Sequence, residues 1–552
     1  MIIDIIDEEE FTAYANFLEE LKDSVLNIQK IGDFKDFNKK IKNLLNSCIN
    51  FSNEIAEDGD YFEAGEFLFS AAEILEDIDS TSAIELYKQN IKIWDRLIEE
   101  FKAQAKLHEI AELNLKIAEI YGHKLEIVKS ERFYILESIN YLQQESDLLQ
   151  NFNQPRTLTQ NFQNIAELYL RISDYENALA YYQKVIDISK NYEFHDLISY
   201  SYQQLSACYK ELDDYNKANE VILDGIEYFA GLCTIFEEKN NNLALAQMCQ
   251  ILKNLYLILN DKDQFLYYSK KEAGAYIDLA ESMEKVPENF QKIARYYRGA
   301  GLCYQELHNN NLLEAASCFV LAGNYSDKIE DYSTAAANFF DAANVFKELK
   351  NWDMTYKLFI KAGDNYWKID EQNLSTESFL NAYDIAIEGN LEFDRFGIFN
   401  QIVRGLNKVA KDSLKNRQFY SSATLILESI KFYEQLDGAK DFLLREMVRN
   451  VYRYYYRAAN MKKISFSHIV QSYILASLSC ILIGKLDEAW EIISEINSES
   501  SVIQNYKEMI KIIIDWVSKD KKVEIENFPY HLKRLIKSSD EIKYLLNLFR
   551  RM

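Results

Sequence analysis

Four phenylalanines, Phe319, Phe339, Phe359 and Phe379, stand twenty residues apart. Ala322, Ala342, Ala362 and Ala382 follow each of them by three residues. Gly323, Ala343, Gly363 and Tyr383 come next, and then Asn324, Asn344, Asp364 and Asp384. This register constrains the fold more than any other feature of the chain. A twenty-residue period is too long for a heptad and fits one helix plus one turn. Roughly 15 or 16 helical residues span about 24 Å. Phe and Ala at i and i+3 share one helix face. The ring fills a gap, the small residue lets a neighbouring helix approach, and the Asn or Asp stays in solvent. A helix with one apolar stripe must pack against another. Short turns make successive helices antiparallel, so the pattern predicts stacked helical hairpins of about forty residues. The four phenylalanines are core residues and form no site.

Composition agrees with helix along most of the chain. Three prolines and sixteen glycines in 552 residues leave little turn punctuation for sheets. A formal charge of −25 disfavours nucleic acid and anionic membrane as partners of the whole chain, though not a local basic site. Seven cysteines, at 48, 208, 233, 249, 303, 318 and 480, contain no CxxC and read as reduced thiols of a cytoplasmic protein. The acidic stretch from Asp4 to Glu10 does not resemble a secretory signal. Ile464 to Gly484 lacks Asp, Glu, Lys and Arg and is long enough to cross a bilayer. Its Ser465, Ser467, Ser472, Ser477, Ser479 and Gln471 side chains, with His468, point instead to a central helix covered on both sides.

In chain order, residues 1–154 read as amphipathic helices whose repeat is degraded, with Ala83 and Tyr87, then Ala118 and Tyr121, as traces of it. Pro155 marks a joint. Residues 155–289 hold a clearer pair: Ala166, Tyr169, Asp174, Tyr175 and Ala178 return forty residues later as Ser206, Tyr209, Asp214, Tyr215 and Ala218. This order resembles the tetratricopeptide repeat, which has about 34 residues, and longer helices account for the excess. The third segment is 290–552. The expected fold is all-α, a right-handed superhelical solenoid of tetratricopeptide-like antiparallel hairpins.

Within the third segment, Glu314-Ala315-Ala316-Ser317-Cys318-Phe319-Val320-Leu321-Ala322-Gly323-Asn324 is similar to the soluble NSF attachment proteins. That resemblance continues through Ala476, Cys480, Asp487 and Ala489 and covers residues 290–552. It implies an adaptor that grips an acidic helical or coiled-coil complex, stimulates a ring ATPase through an acidic C-terminal end with a terminal leucine, and touches membrane peripherally. The chain departs at that end, finishing Leu548-Phe549-Arg550-Arg551-Met552. The family's membrane loop does not carry over, because residues 1–289 precede the matching half. A generic tetratricopeptide-type regulatory or assembly subunit is the alternative, and an enzyme or a membrane protein is the third reading.

Chemistry-bearing motifs do not emerge. No phosphate-cradling Gly-rich loop or HExxH occurs, and the six histidines share no ligand spacing. No catalytic residue, metal or cofactor is expected. A carboxylate clamp of the tetratricopeptide kind would use Gln163 and Glu167, and Glu167 would repel a carboxylate. The one departure from an acidic surface is Arg445, Arg449, Arg453 and Arg457, spaced by four and followed by Lys462 and Lys463. Steps of four wind gently round a helix, so the arginines form a ridge, with Tyr452, Tyr454, Tyr455 and Tyr456 interleaved and Glu446 opposing. Two readings stay open: a docking strip for an acidic partner, or arginines neutralised by solvent and by acids of the next repeat. Lys292, Arg295 and Arg298 form a smaller basic face.

Overall fold

The computed structural model describes residues 8–28, 34–76, 78–307, 311–436, 439–461, 465–496 and 500–549. Twenty-five α-helices follow one another along them, and no strand occurs among the described residues. The chain is an all-α helical-repeat solenoid.

The period is explained by the links. Leu312–Lys328, Tyr332–Glu348, Trp352–Lys368 and Gln372–Glu388 are each 17 residues long, joined by three-residue links. The middle link residue is left-handed: Glu330, Lys350 and Asp370 have φ of 59°, 55° and 65°. The third link residue donates its amide back to the preceding helix, Asp331 to the Ser326 carbonyl at 3.0 Å and Asn351 to the Phe346 carbonyl at 2.9 Å. These bonds satisfy carbonyls that a helix end leaves open. The same residue then caps the next helix. Asp331 Oδ1 accepts from the Thr334 amide at 3.2 Å, and Asn351 Oδ1 from the Met354 amide at 3.3 Å. The Asp-Tyr turns at Asp174 and Asp214 work alike, accepting from the Asn177 and Lys217 amides. The first helix of that pair, Pro155–Arg171, is also 17 residues long, so longer helices do carry the excess over 34.

Contact density divides the chain into two units, Met1–Gly231 with Asn254–Asp261, and Leu232–Lys253 with Lys262–Met552. In the first, the degraded repeat still packs on a large-to-small principle. Phe67, Tyr87 and Trp94 are fully buried, and a Cβ on Gly65 would lie 1.9 Å from the Trp94 ring.

In the second, Phe319, Phe339, Phe359 and Phe379 are all buried, as the periodicity predicts. Each of three rings sits on a glycine of the preceding helix. Added Cβ atoms at Gly301, Gly323 and Gly363 would lie 2.9, 2.7 and 3.0 Å from Phe319, Phe339 and Phe379. The uncharged stretch forms Phe466–Leu482, buried continuously from Ser472 to Leu482. It packs against Asp441–Ala459, Leu486–Ser494, Ser501–Ser518 and Asp540–Leu548. It is therefore a covered central helix of its unit. No described helix is long and apolar enough to cross a membrane.

Candidate partner-binding site

Helix Asp441–Ala459 turns Leu444, Val448, Val451, Tyr455, Ala458 and Ala459 into the core. Tyr455 lies deepest: its hydroxyl is 3.0 Å from Thr424 Oγ1, its ring meets Tyr420 edge-on at 5.4 Å, and burial pushes its phenol pKa up. With that stripe fixed inward, the opposite side must face solvent. Arg445, Arg449, Arg453 and Arg457 are all exposed there. Over the twelve residues from first to last, an ideal helix rises about 18 Å.

Their pairing decides what this face can do. Arg449 donates to Glu446 on its own helix at 2.7 Å, and the Arg457 guanidinium lies 5.7 Å from the Phe419 ring centroid. Arg445 and Arg453 make no ion pair with any described residue. Acids from the next helical pair do reach this helix, but they meet tyrosines. Tyr452 donates to Glu488, and Tyr456 donates to Glu495 at 3.1 Å. Glu488 also accepts from Lys485, and these bonds, that from Lys485 foremost, hold its carboxyl below the usual range. The interleaved aromatics thus anchor the helix on both flanks and leave the arginines outward. Lys462 and Lys463 lie outside the described residues.

The smaller basic face divides. On Pro287–Glu306, Lys292 and Arg295 are exposed without an ion pair among the described residues. Arg298 is drawn away from them: it donates to Asn338 at 2.6 Å, pairs with Asp341 at 2.9 Å, and lies 5.9 Å from the Phe319 ring centroid. It ties its helix to Tyr332–Glu348.

In the first unit the clamp positions are occupied from within. Gln163 donates to Glu167 at 2.9 Å, and the Tyr200 hydroxyl donates to the same carboxylate oxygen at 3.0 Å. A feature the sequence did not single out is Lys253, which is 7% exposed. It reaches Glu272 at 3.1 Å and Glu306 at 2.7 Å, and Ser269 donates to Glu306 at 3.1 Å. Burial works to lower the Lys253 pKa, but the two acids outweigh it and hold it above the ordinary value. Burial also raises the Glu272 carboxyl, against the pull of Lys253. A charge this deep survives because it is paired. Among the described residues, no group of three or more His, Cys, Asp or Glu side chains is placed to hold a metal.

Residues 157–227 match the tetratricopeptide repeat family. They are the hairpins built on the Asp174 and Asp214 turns, so this segment of the helical-repeat solenoid is tetratricopeptide-like. No curated protein matches it in sequence. Among solved structures, the apo form of RapI is 16% identical, over 56% of this chain and 99% of that one, with a TM-score of 0.23. Aspartyl phosphate phosphatase F from Bacillus subtilis is 14% identical, over 66% of this chain and 96% of that one, with a TM-score of 0.25. A signal transduction ATPase with a tetratricopeptide repeat sensor, from Pyrococcus horikoshii, is 13% identical over 71% of this chain, but only 53% of that protein is spanned, with a TM-score of 0.28. Overlaps this low carry no argument about activity.

Proposed function

We propose that this chain is a non-catalytic scaffold that binds another protein, and that Arg445, Arg449, Arg453 and Arg457 are a docking strip for an acidic helical or coiled-coil surface. One observation carries the reading. The four guanidiniums face solvent along one helix, with Glu446 as their one acid partner among the described residues. Guanidinium forks grip carboxylates bidentately, and spacing by four matches acids spaced by four on a partner helix. The rest of the surface is net acidic, so an acidic partner is repelled elsewhere and held here. All seven cysteines are buried free thiols, which suits a reducing, cytoplasmic setting.

The finer form of the proposal is an adaptor like the soluble NSF attachment proteins, working with a ring ATPase in membrane traffic. It is supported by the segment Glu314 to Asn324, which lies in the buried, Phe-bearing helix Leu312–Lys328. Affinity capture with the intact chain, read by mass spectrometry and repeated with Arg449→Glu/Arg453→Glu, tests both levels. Acidic helical proteins recovered by the wild type and lost from the variant support the scaffold reading. Coiled-coil membrane proteins or a ring ATPase among them support the finer one. Identical recoveries from both chains contradict the docking strip.

A further inference from the structure

We propose that a groove in the second unit, distinct from the arginine ridge, is a docking site for a short acidic segment of a partner protein that carries an aliphatic side chain beside its carboxylates. The groove has a volume of about 510 Å³ and is lined from three helices, by Leu243, by Tyr276, and by Pro287–Glu306 side chains including Lys292, Arg295, Tyr296 and Leu302.

Its floor is aromatic. Tyr276 and Tyr296 stack with ring centroids 6.2 Å apart and planes 21° from parallel. Tyr276 lies close against the neighbouring helix because residue 299 is glycine: a Cβ there would be 3.1 Å from its ring. Burial pushes the Tyr276 phenol up to about 12, so that ring stays neutral at any ordinary pH. The walls are apolar and open. Leu243 is 45% exposed and Leu302 is 46% exposed. The rim carries charge: Lys292 and Arg295, three residues apart on one helix face, have no ion pair among the described residues. Arg298 also borders the groove, but its guanidinium is committed to Asp341 and Asn338.

These features select an occupant. A wholly apolar segment would cover the leucines and desolvate two unpaired cations, which is costly. A wholly acidic one would pair the cations and leave the leucines bare. A segment with carboxylates next to Leu, Ile or Val satisfies both. The volume falls in the range of about 300–1,000 Å³ typical of ligand clefts, which admits a few side chains rather than a whole domain. Nucleic acid offers the charge without the aliphatic anchor, and the net charge of −25 opposes it.

The test is selection of random displayed peptides of about twelve residues on the immobilised full-length chain, followed by affinity measurement of the winners. Enrichment of Asp or Glu beside Leu, Ile or Val is expected. Winners should lose affinity about tenfold or more on Lys292→Glu/Arg295→Glu and on Leu302→Asp, and less on Lys292→Gln/Arg295→Gln. Arg449→Glu/Arg453→Glu should leave them unaffected, which separates this groove from the ridge. Circular dichroism confirms that each variant is folded, and the two Lys292/Arg295 variants change only exposed side chains. Winners without acidic enrichment, or winners that bind the charge-reversed rim as tightly as wild type, overturn the proposal. Winners that respond only to the ridge variant overturn it too, while leaving the ridge intact.

Discussion

His108 stands between two carboxylates, with Nδ1 3.2 Å from Glu145 and Nε2 3.4 Å from Glu112. The bond to Glu145 raises the His108 pKa above its ordinary value, more than burial lowers it. Burial works to raise Glu145, but bonds from His108 and Asn161 outweigh it and hold it low. A raised histidine contributes stability that is complete below its unfolded pKa of about 6.5 and is lost as pH climbs through the folded value. A depressed carboxylate contributes stability that is lost as pH falls below about 4.3 and through its folded value. The pair therefore helps most in mildly acidic solution. The melting temperature of the first unit should fall as pH rises from about 6 to about 8, and His108→Gln should flatten that slope. An unchanged slope in the variant would show that His108 is not its source. This contact joins residues 37 positions apart, and no local pattern announces it. Arg298 and Lys253 are the same case. Spacing placed Arg298 beside Lys292 and Arg295, but its partner Asp341 lies two helices on. Lys253 finds Glu306 across 53 positions. Side-chain pairing between helices depends on their relative rotation, which a linear reading does not contain.

Helices are where the sequence was most legible. The Phe and small-residue stripe shows at a glance because both lie on one face, and the Asp-Tyr turns show because one residue closes a helix and caps the next. The pairing of Gly323 with Phe339 was only half readable: the need for a small residue was plain, the ring it admits was not. The caps give a graded test. Asp331→Ala should cost about 1 kcal/mol, since it leaves the Thr334 amide without its side-chain acceptor. Glu371 occupies the equivalent link but makes no side-chain cap bond, so Glu371→Ala should cost much less. Denaturant midpoints of the two variants check this, and equal losses would remove the cap as the explanation. The ridge helix was legible in its spacing, and its exposure was not. That depended on Tyr452 and Tyr456 meeting Glu488 and Glu495 before the arginines could.

At the scale of the whole chain, a repeat array couples mainly between neighbours. Phe339→Ala empties a fully buried site and should destabilise its surroundings by roughly 3–5 kcal/mol. Hydrogen exchange should rise in Leu312–Lys328, Tyr332–Glu348 and Trp352–Lys368 while Tyr61–Glu76 and Ser80–Ala103 keep their protection. Equal loss in both places would contradict an array. The function assigned to that array rests on the arginine ridge, and one titration meets it directly. Binding of the captured acidic partner is measured for wild type and for Arg449→Glu/Arg453→Glu at about 0.1 M and about 1 M salt, where the Debye length falls from ~10 Å to ~3 Å. The wild type should bind and weaken with salt. The double variant should stay folded by circular dichroism, because both side chains are exposed, and should lose the partner at either salt concentration. A folded double variant with undiminished affinity would contradict the account.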